Sequence, residues 1–253
     1  MMGKYEELFK LNEELARLVI DTFGTREFHT DTQAQTVILF FVAKAYKTHQ
    51  AILHLCRQGY GEDAGILLRS LFELAVNALY IKDNAELAQK YVDFEAIYVQ
   101  RFLEDPNLKN RYMQVSENKL AETSEAAQRA REKHGYKGKN RWSGKTIREM
   151  AEEVGLGGEV YASFYVLVSQ LVHSTIGSAT YYVKPYPNRS AKRLMLSPTD
   201  NLIQEDLLTA GFLTLDILMQ WSKQFDLGIE TKISELRNKL IELKEKYVQT
   251  RTK

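Results

Sequence analysis

The chain reads as an all-α protein, a single helical-bundle domain with a C-terminal amphipathic helix, and three observations predict this. No proline occurs before Pro106, so the first 105 residues lack the strongest helix breaker. Apolar residues recur at spacings near 3.6, and helix start and stop residues fall between the periodic runs. No strand pattern competes.

The periodic runs give the elements in order. The first covers 4–23 and stops before Gly24; the second, 31–58, is capped near Asp31 or Thr32 and ends at Gly59. A third spans 62–82 and a fourth 84–104, capped near Asp83 and halted by Asp105-Pro106. A fifth covers 107–134, before a glycine-rich loop at 135–145. Thr146-Ile147-Arg148-Glu149 fits a capping box, which starts a short helix over 147–154. Helices over 159–182, 200–225 and 229–250 complete the set. The last carries Ile229, Ile233, Leu236, Leu240, Leu243 and Tyr247, an a/d seam of fewer than three heptads. That seam suits docking on the chain's own bundle or pairing with a second subunit. We therefore divide the chain into a bundle, 1–228, and a C-terminal helix and charged tail, 229–253.

Composition narrows the function classes. Apolar residues make up 44% and charged residues 26%, ordinary for a globular protein, and the formal charge of +1 exerts no global pull on nucleic acid or membrane. Any electrostatic function must be local. The single cysteine, Cys56, lies in an apolar helical stretch, which excludes a disulfide framework and a thiolate metal site. His49 and His54 are five apart, off the four-residue spacing of a helical metal pair, so no metal and no cofactor is expected. The longest clean apolar stretch, Val37 to Val42, is far short of the ~20 residues a bilayer requires. Lys4, Glu6 and Glu7 precede any apolar run, which is wrong for a signal peptide, and the expectation is a cytoplasmic protein.

The candidate site begins with misplaced polarity. Within the apolar run 64–81, Arg69, Ser70, Glu73, Asn77 and Tyr80 fall on roughly a 100° arc of a helix. A helix so apolar is expected to be buried on most sides, with this stripe facing an internal polar cavity. A second intrusion, Tyr165, Ser169 and His173, repeats every four residues on one face of the later helix. If the two helices pack together, Arg69, Glu73, Ser169 and His173 converge, with Ser70, Asn77 and Tyr165 lining the same cavity. Arginine can hold a phosphate bidentately, and a histidine beside a carboxylate can act as general acid or base. The same residue types also serve a satisfied structural network.

Other motifs are weaker. Gly144-Lys145-Thr146 resembles a phosphate loop, but Lys139 stands where that motif needs glycine. Gly155-Leu156-Gly157-Gly158 lacks the spacing of a dinucleotide fingerprint. From Arg129 to Arg148, eight Lys/Arg stand against one acid, Glu132, with Tyr136 and Trp142 interleaved. Lys137, Lys139, Arg141, Trp142 and Lys145 are thus candidate nucleic-acid contacts, cations for phosphates and a ring for bases. A second basic stretch joins Lys184, Arg189, Lys192 and Arg193 with Tyr181, Tyr182 and Tyr186.

The pairing of Arg69-Ser70-Leu71-Phe72-Glu73 with the later Ser169 to His173, around Trp142-Ser143-Gly144-Lys145, resembles the bacterial family catalogued as domain of unknown function 5677, over about 35–225. The resemblance implies an all-helical fold related to the HEPN group (higher eukaryotes and prokaryotes nucleotide-binding), many of which are dimeric RNases of toxin–antitoxin and phage-defence systems. The HEPN signature, an arginine followed after four to six residues by histidine, is met only by Arg129 and His134, a secondary candidate in a highly charged segment. Three expectations follow. The first is a cytoplasmic, homodimeric, metal-independent RNase or nucleotide-processing effector, acting on RNA or a nucleotide beside an antitoxin or defence-system partner. In it Arg69 binds phosphate, Glu73 orients it or moves a proton, His173 is the acid or base, and Ser169 orients the histidine. The second is a non-catalytic binding or scaffold module that senses an anionic ligand or recruits a partner. The third is that the charges only enforce packing.

Overall fold

A computed structural model describes residues 2–24, 26–82, 84–105, 116–136, 141–158, 160–187 and 190–251. Helices dominate: α1 (Glu6–Phe23), α2 (Gln33–Gln58), α3 (Gly61–Ile81), α4 (Ala85–Glu104), α5 (Glu117–His134) and α6 (Ile147–Glu153). A π-helical segment, Val160–Tyr165, runs into α7 (Val166–Val172), and α8 (Ala179–Tyr182), α9 (Ile203–Phe225) and α10 (Glu230–Arg251) follow. The helix boundaries follow local chemistry. Thr32 and Gln35 form a capping box before α2, Thr146 and Glu149 another before α6, and Asn84 accepts from the Leu87 amide before α4. Gly59, with φ +81°, ends α2 in the left-handed conformation that favours glycine. The expected cap at Asp83 lies outside the described residues.

Two expectations of an unbroken helical pattern fail. The helix expected over 159–182 breaks after Val172, where Ser174 turns left-handed at φ +48° and the Thr175 amide bonds to the Gln170 carbonyl. Beyond it, β1 (Val183–Pro185) and β2 (Lys192–Leu194) pair antiparallel, Lys184 opposite Arg193. Pro185 and Pro187 cannot continue a helix, and three-residue strands are too short to show alternation.

The centre of the bundle is α2, α3 and α9, each packed on the other two; α1 and α10 cover α9, α4 lies on α2, and α5 on α4. Ala64, Leu68, Leu71, Phe72, Ala75 and Val76 of α3 are fully buried. By length and composition α3 could cross a membrane, but most of it is buried in this bundle, which accounts for its apolarity. The a/d seam of α10 docks on its own chain: Ile233, Leu236 and Leu240 are buried, and Tyr247 Oη donates to the Lys4 carbonyl. Cys56 is buried, and burial pushes its thiol up, out of reach of thiolate chemistry.

Trp142 corrects the reading of the basic loop. It is buried rather than offered to bases: its ring packs edge-on against Tyr80 and Tyr91, and Nε1 donates to Asn77 Oδ1 at 3.0 Å. An indole gains more from leaving water, with its one donor satisfied, than from standing in a charged loop. Trp142→Phe should leave Asn77 Oδ1 unpaired and cost about 2 kcal/mol of unfolding free energy in urea titration; unchanged stability would contradict the anchor.

A second buried polar contact joins α1 to α2. His49 is completely buried, and its Nε2 donates to Asn12 Oδ1 at 2.9 Å while Asn12 Nδ2 donates to the Leu8 carbonyl at 2.8 Å. Nδ1 has no partner among the described residues, so a second proton would be buried unpaired. Burial accordingly pushes the imidazole down to about 4 from its ordinary 6.5. Between those values the unfolded chain holds a proton that the folded chain refuses. Stability is therefore full above the ordinary value and is lost as pH falls toward the depressed one. Burial, with Glu205 and Glu62 nearby, holds the Asp206 carboxyl well above the usual range, which acts with the opposite sign. Comparing wild type with His49→Gln removes that contribution, since both carry Asp206. Wild type should lose about 2 kcal/mol more than the variant between about pH 7 and about pH 5 in urea titrations; parallel pH profiles would refute the assignment.

Candidate functional site

The site forms where α7 lies against α3. Gly65 permits the contact: a β-carbon there would meet Leu171 Cδ1 at 3.2 Å, tighter than most such contacts, and would touch Val168 Cγ1 at an ordinary 3.5 Å. Val168 and Leu171 are buried in this seat, which fixes the end of α7 beside the polar stripe of α3. His173, the C-cap of α7, thereby reaches Arg69, one turn along α3 from Gly65.

The contacts form a connected set. Arg69 Nη1 lies 3.1 Å from His173 Nε2, and Arg69 Nε donates to Glu73 Oε1 at 3.2 Å. The same carboxylate oxygen accepts from Tyr165 Oη at 2.9 Å, and the Arg69 guanidinium lies over the Tyr165 ring, 5.0 Å from its centroid. A guanidinium only donates, so His173 Nε2 accepts and the imidazole proton sits on Nδ1. Burial, then Glu73, pushes the Tyr165 phenol up to about 12, so it stays a donor at neutral pH. Asn77 extends the line, its Nδ2 donating to the Glu73 carbonyl at 2.8 Å while its Oδ1 accepts from Trp142.

The stripe does not face an internal cavity. Side-chain exposure is 25% for Arg69 and 41% for Glu73, and His173 is exposed, so the groups form an open shelf. Charges at a rim avoid most of the desolvation cost that an interior would impose. Ser169 does not orient the histidine: its hydroxyl donates to the Tyr165 carbonyl at 2.6 Å, the i−4 bond natural to a helical serine. Ser70 is half-buried, and its hydroxyl bonds to none of these groups.

The secondary candidate pair separates. His134 Nε2 bonds to Asp93 Oδ2 at 2.6 Å with its side chain only 6% exposed, whereas Arg129 reaches Glu125 on its own helix at 3.5 Å. The end of this highly charged segment is thus an ion-pair cluster in which Asp93 holds His134 and Lys133. Burial would raise the Asp93 carboxyl, but donors from His134, Lys133 and Gln89 outweigh it and hold the group below its usual range. Asp93 is 41 residues from His134, and no local pattern announced the pair. Of the basic loop, Lys137 and Lys139 lie outside the described residues. Arg141 is exposed; Lys145 is bound by both Glu153 oxygens at 2.7 Å and lies over the Tyr80 ring, so its charge is largely answered within the chain. No group of three or more His, Cys, Asp or Glu among the described residues is arranged to hold a metal.

Residues missed by sequence reasoning stand beside the shelf. Tyr161 stacks on Tyr165 at 4.9 Å and 22°, and the Arg148 guanidinium lies over Tyr161 at 5.8 Å. The i,i+4 spacing of the two tyrosines was a visible signal, and the Arg148 contact was not.

Comparison with curated proteins finds no match, and none is found among solved structures. Residues 35–190 match the family described as a family of unknown function, DUF5677. That match extends over more than half of the sequence and takes in both helices of the shelf, and the chain belongs to the DUF5677 family.

Proposed function

We propose that the shelf is a phosphate-ester site and that the chain acts as a metal-independent RNase or nucleotide-processing effector. The observation that carries this reading is the 3.1 Å approach of Arg69 Nη1 to His173 Nε2 on an exposed surface. It sets a permanent cation beside a nitrogen whose lone pair can take a proton. Glu73 and Tyr165 hold the guanidinium from one side, leaving terminal N–H groups for phosphate oxygens.

In the reaction, a phosphate oxygen takes over the Arg69 Nη1 donor, which frees the Nε2 lone pair of His173 to take the proton of a ribose 2′-hydroxyl as its oxygen attacks the adjacent phosphorus. The bond to the 5′-oxygen breaks, that oxygen takes a proton from water, and a 2′,3′-cyclic phosphate remains. A proton arriving on Nε2 faces the guanidinium, so its transfer is tied to phosphate lying between the two cations. A role in bacterial toxin or phage-defence systems rests on the resemblance to HEPN proteins.

One observation favours a non-catalytic binding module instead: Glu73 and Ser169 bond to Arg69, Tyr165 and the backbone rather than to His173, so the imidazole has no orienting group from either. Purified protein with total RNA separates the two. Wild type should cleave, with His173→Ala and Arg69→Ala reduced by about 100-fold or more and His134→Ala close to wild type. Loss of cleavage in His134→Ala alone would sink the site. An inactive wild type whose melting temperature rises with added nucleotide would establish the binding module.

A further inference from the structure

Beyond the Arg69–His173 contact, four groups form one column: the Arg69 guanidinium, the Tyr165 ring, the Tyr161 ring and the Arg148 guanidinium, in steps of 5.0, 4.9 and 5.8 Å. The column is braced from within. Phe72, fully buried, packs against Tyr165 at 5.2 Å and Tyr161 at 6.3 Å, and the tyrosines belong to a π-helical segment, a rare turn that recurs at functional sites. Each guanidinium is held through Nε by a carboxylate one turn along its own helix, Arg69 by Glu73 and Arg148 by Glu152 at 2.9 Å. The terminal amino groups of Arg148 make no hydrogen bond among the described residues. Arg148 is exposed and Tyr161 half-buried, so the far end of the column is open to a ligand.

We propose that this column is a platform for single-stranded RNA, with one phosphate held by Arg69 and a later phosphate of the same strand held by Arg148. The proposal rests on the phosphate-ester reading of the shelf and names its substrate class. Two guanidiniums fixed apart by rigid rings recognise phosphates linked along a chain, which a single nucleotide cannot supply. The outer face of Arg148 can stack a base, and the tyrosine edges offer apolar surface beneath the strand. Only unpaired bases can reach such surfaces, since a duplex keeps its bases stacked internally.

The test uses full-length protein and fluorescently labelled RNA that is 2′-O-methylated throughout, so that it binds without being cut. A hexanucleotide should bind at least about tenfold more tightly than the mononucleotide or the matching duplex. Arg148→Ala and Tyr161→Leu should abolish that length preference, and Tyr161→Phe, which keeps the ring, should retain it. Arg148 is exposed, so its variant stays folded whatever Tyr161→Leu does. Equal binding of mononucleotide and hexanucleotide by wild type, or an unaltered preference in Arg148→Ala, overturns the platform. Cleavage of unmodified RNA that depends on His173 but not on Arg148 would overturn the platform and leave the nuclease reading intact. A length preference that needs Arg148 in a protein that cuts nothing would do the reverse.

Discussion

The arrangement depends on the seating of α7 against α3. Gly65 presents no side chain, Leu171 and Val168 fill the space, and the last turn of α7 is thereby fixed at the polar edge of α3, a long and strongly apolar helix. From that seat follow the meeting of Arg69 with His173, the reach of Tyr165 to Glu73, and the stack that runs on to Tyr161 and Arg148. A β-carbon at Gly65 would require the tip of Leu171 to give way by a few tenths of an ångström, and larger shifts, of about an ångström, are enough to disable a site built on short polar distances.

The surface position of the shelf reconciles two demands. A fully buried Arg–Glu pair costs desolvation that its attraction only partly returns, and a fully solvated one contributes little. At the rim, the Tyr165 ring, backed by Phe72, shields one side of Arg69, whose side chain stays 25% exposed. The guanidinium is thus oriented without being enclosed, which suits binding and release of an anionic ligand. His49 shows the opposite solution: its imidazole lies wholly inside with one partner and is kept neutral by burial.

Much of the fold was legible because its signals are local. The cap near Asp31 or Thr32, the capping box at Thr146, the glycine stop at Gly59 and the 3.6 periodicity each act within a few residues, and the helices built on them start and end close to where the pattern places them. The break after Val172 was not legible, because Ser174 is a non-glycine residue in the left-handed region and its turn is closed by backbone bonds that no side chain announces. In the site, the polar stripes of α3 and α7 could be read from spacing, but their depth could not, since exposure is set by what other helices cover. Trp142 was misread for the same reason: its neighbours in sequence are cationic, whereas its partner Asn77 lies 65 residues away. The His134 contact with Asp93 and the Arg148 contact with Tyr161 likewise join separate elements.

Isotope-edited NMR of the His173 ring nitrogens tests the central claim most directly, because a donor at Nε2 dictates which nitrogen carries the proton. The account predicts the Nδ1–H tautomer at neutral pH in wild type, giving way to the Nε2–H form in Arg69→Gln. An Nε2–H tautomer in wild type, unchanged in the variant, would contradict it.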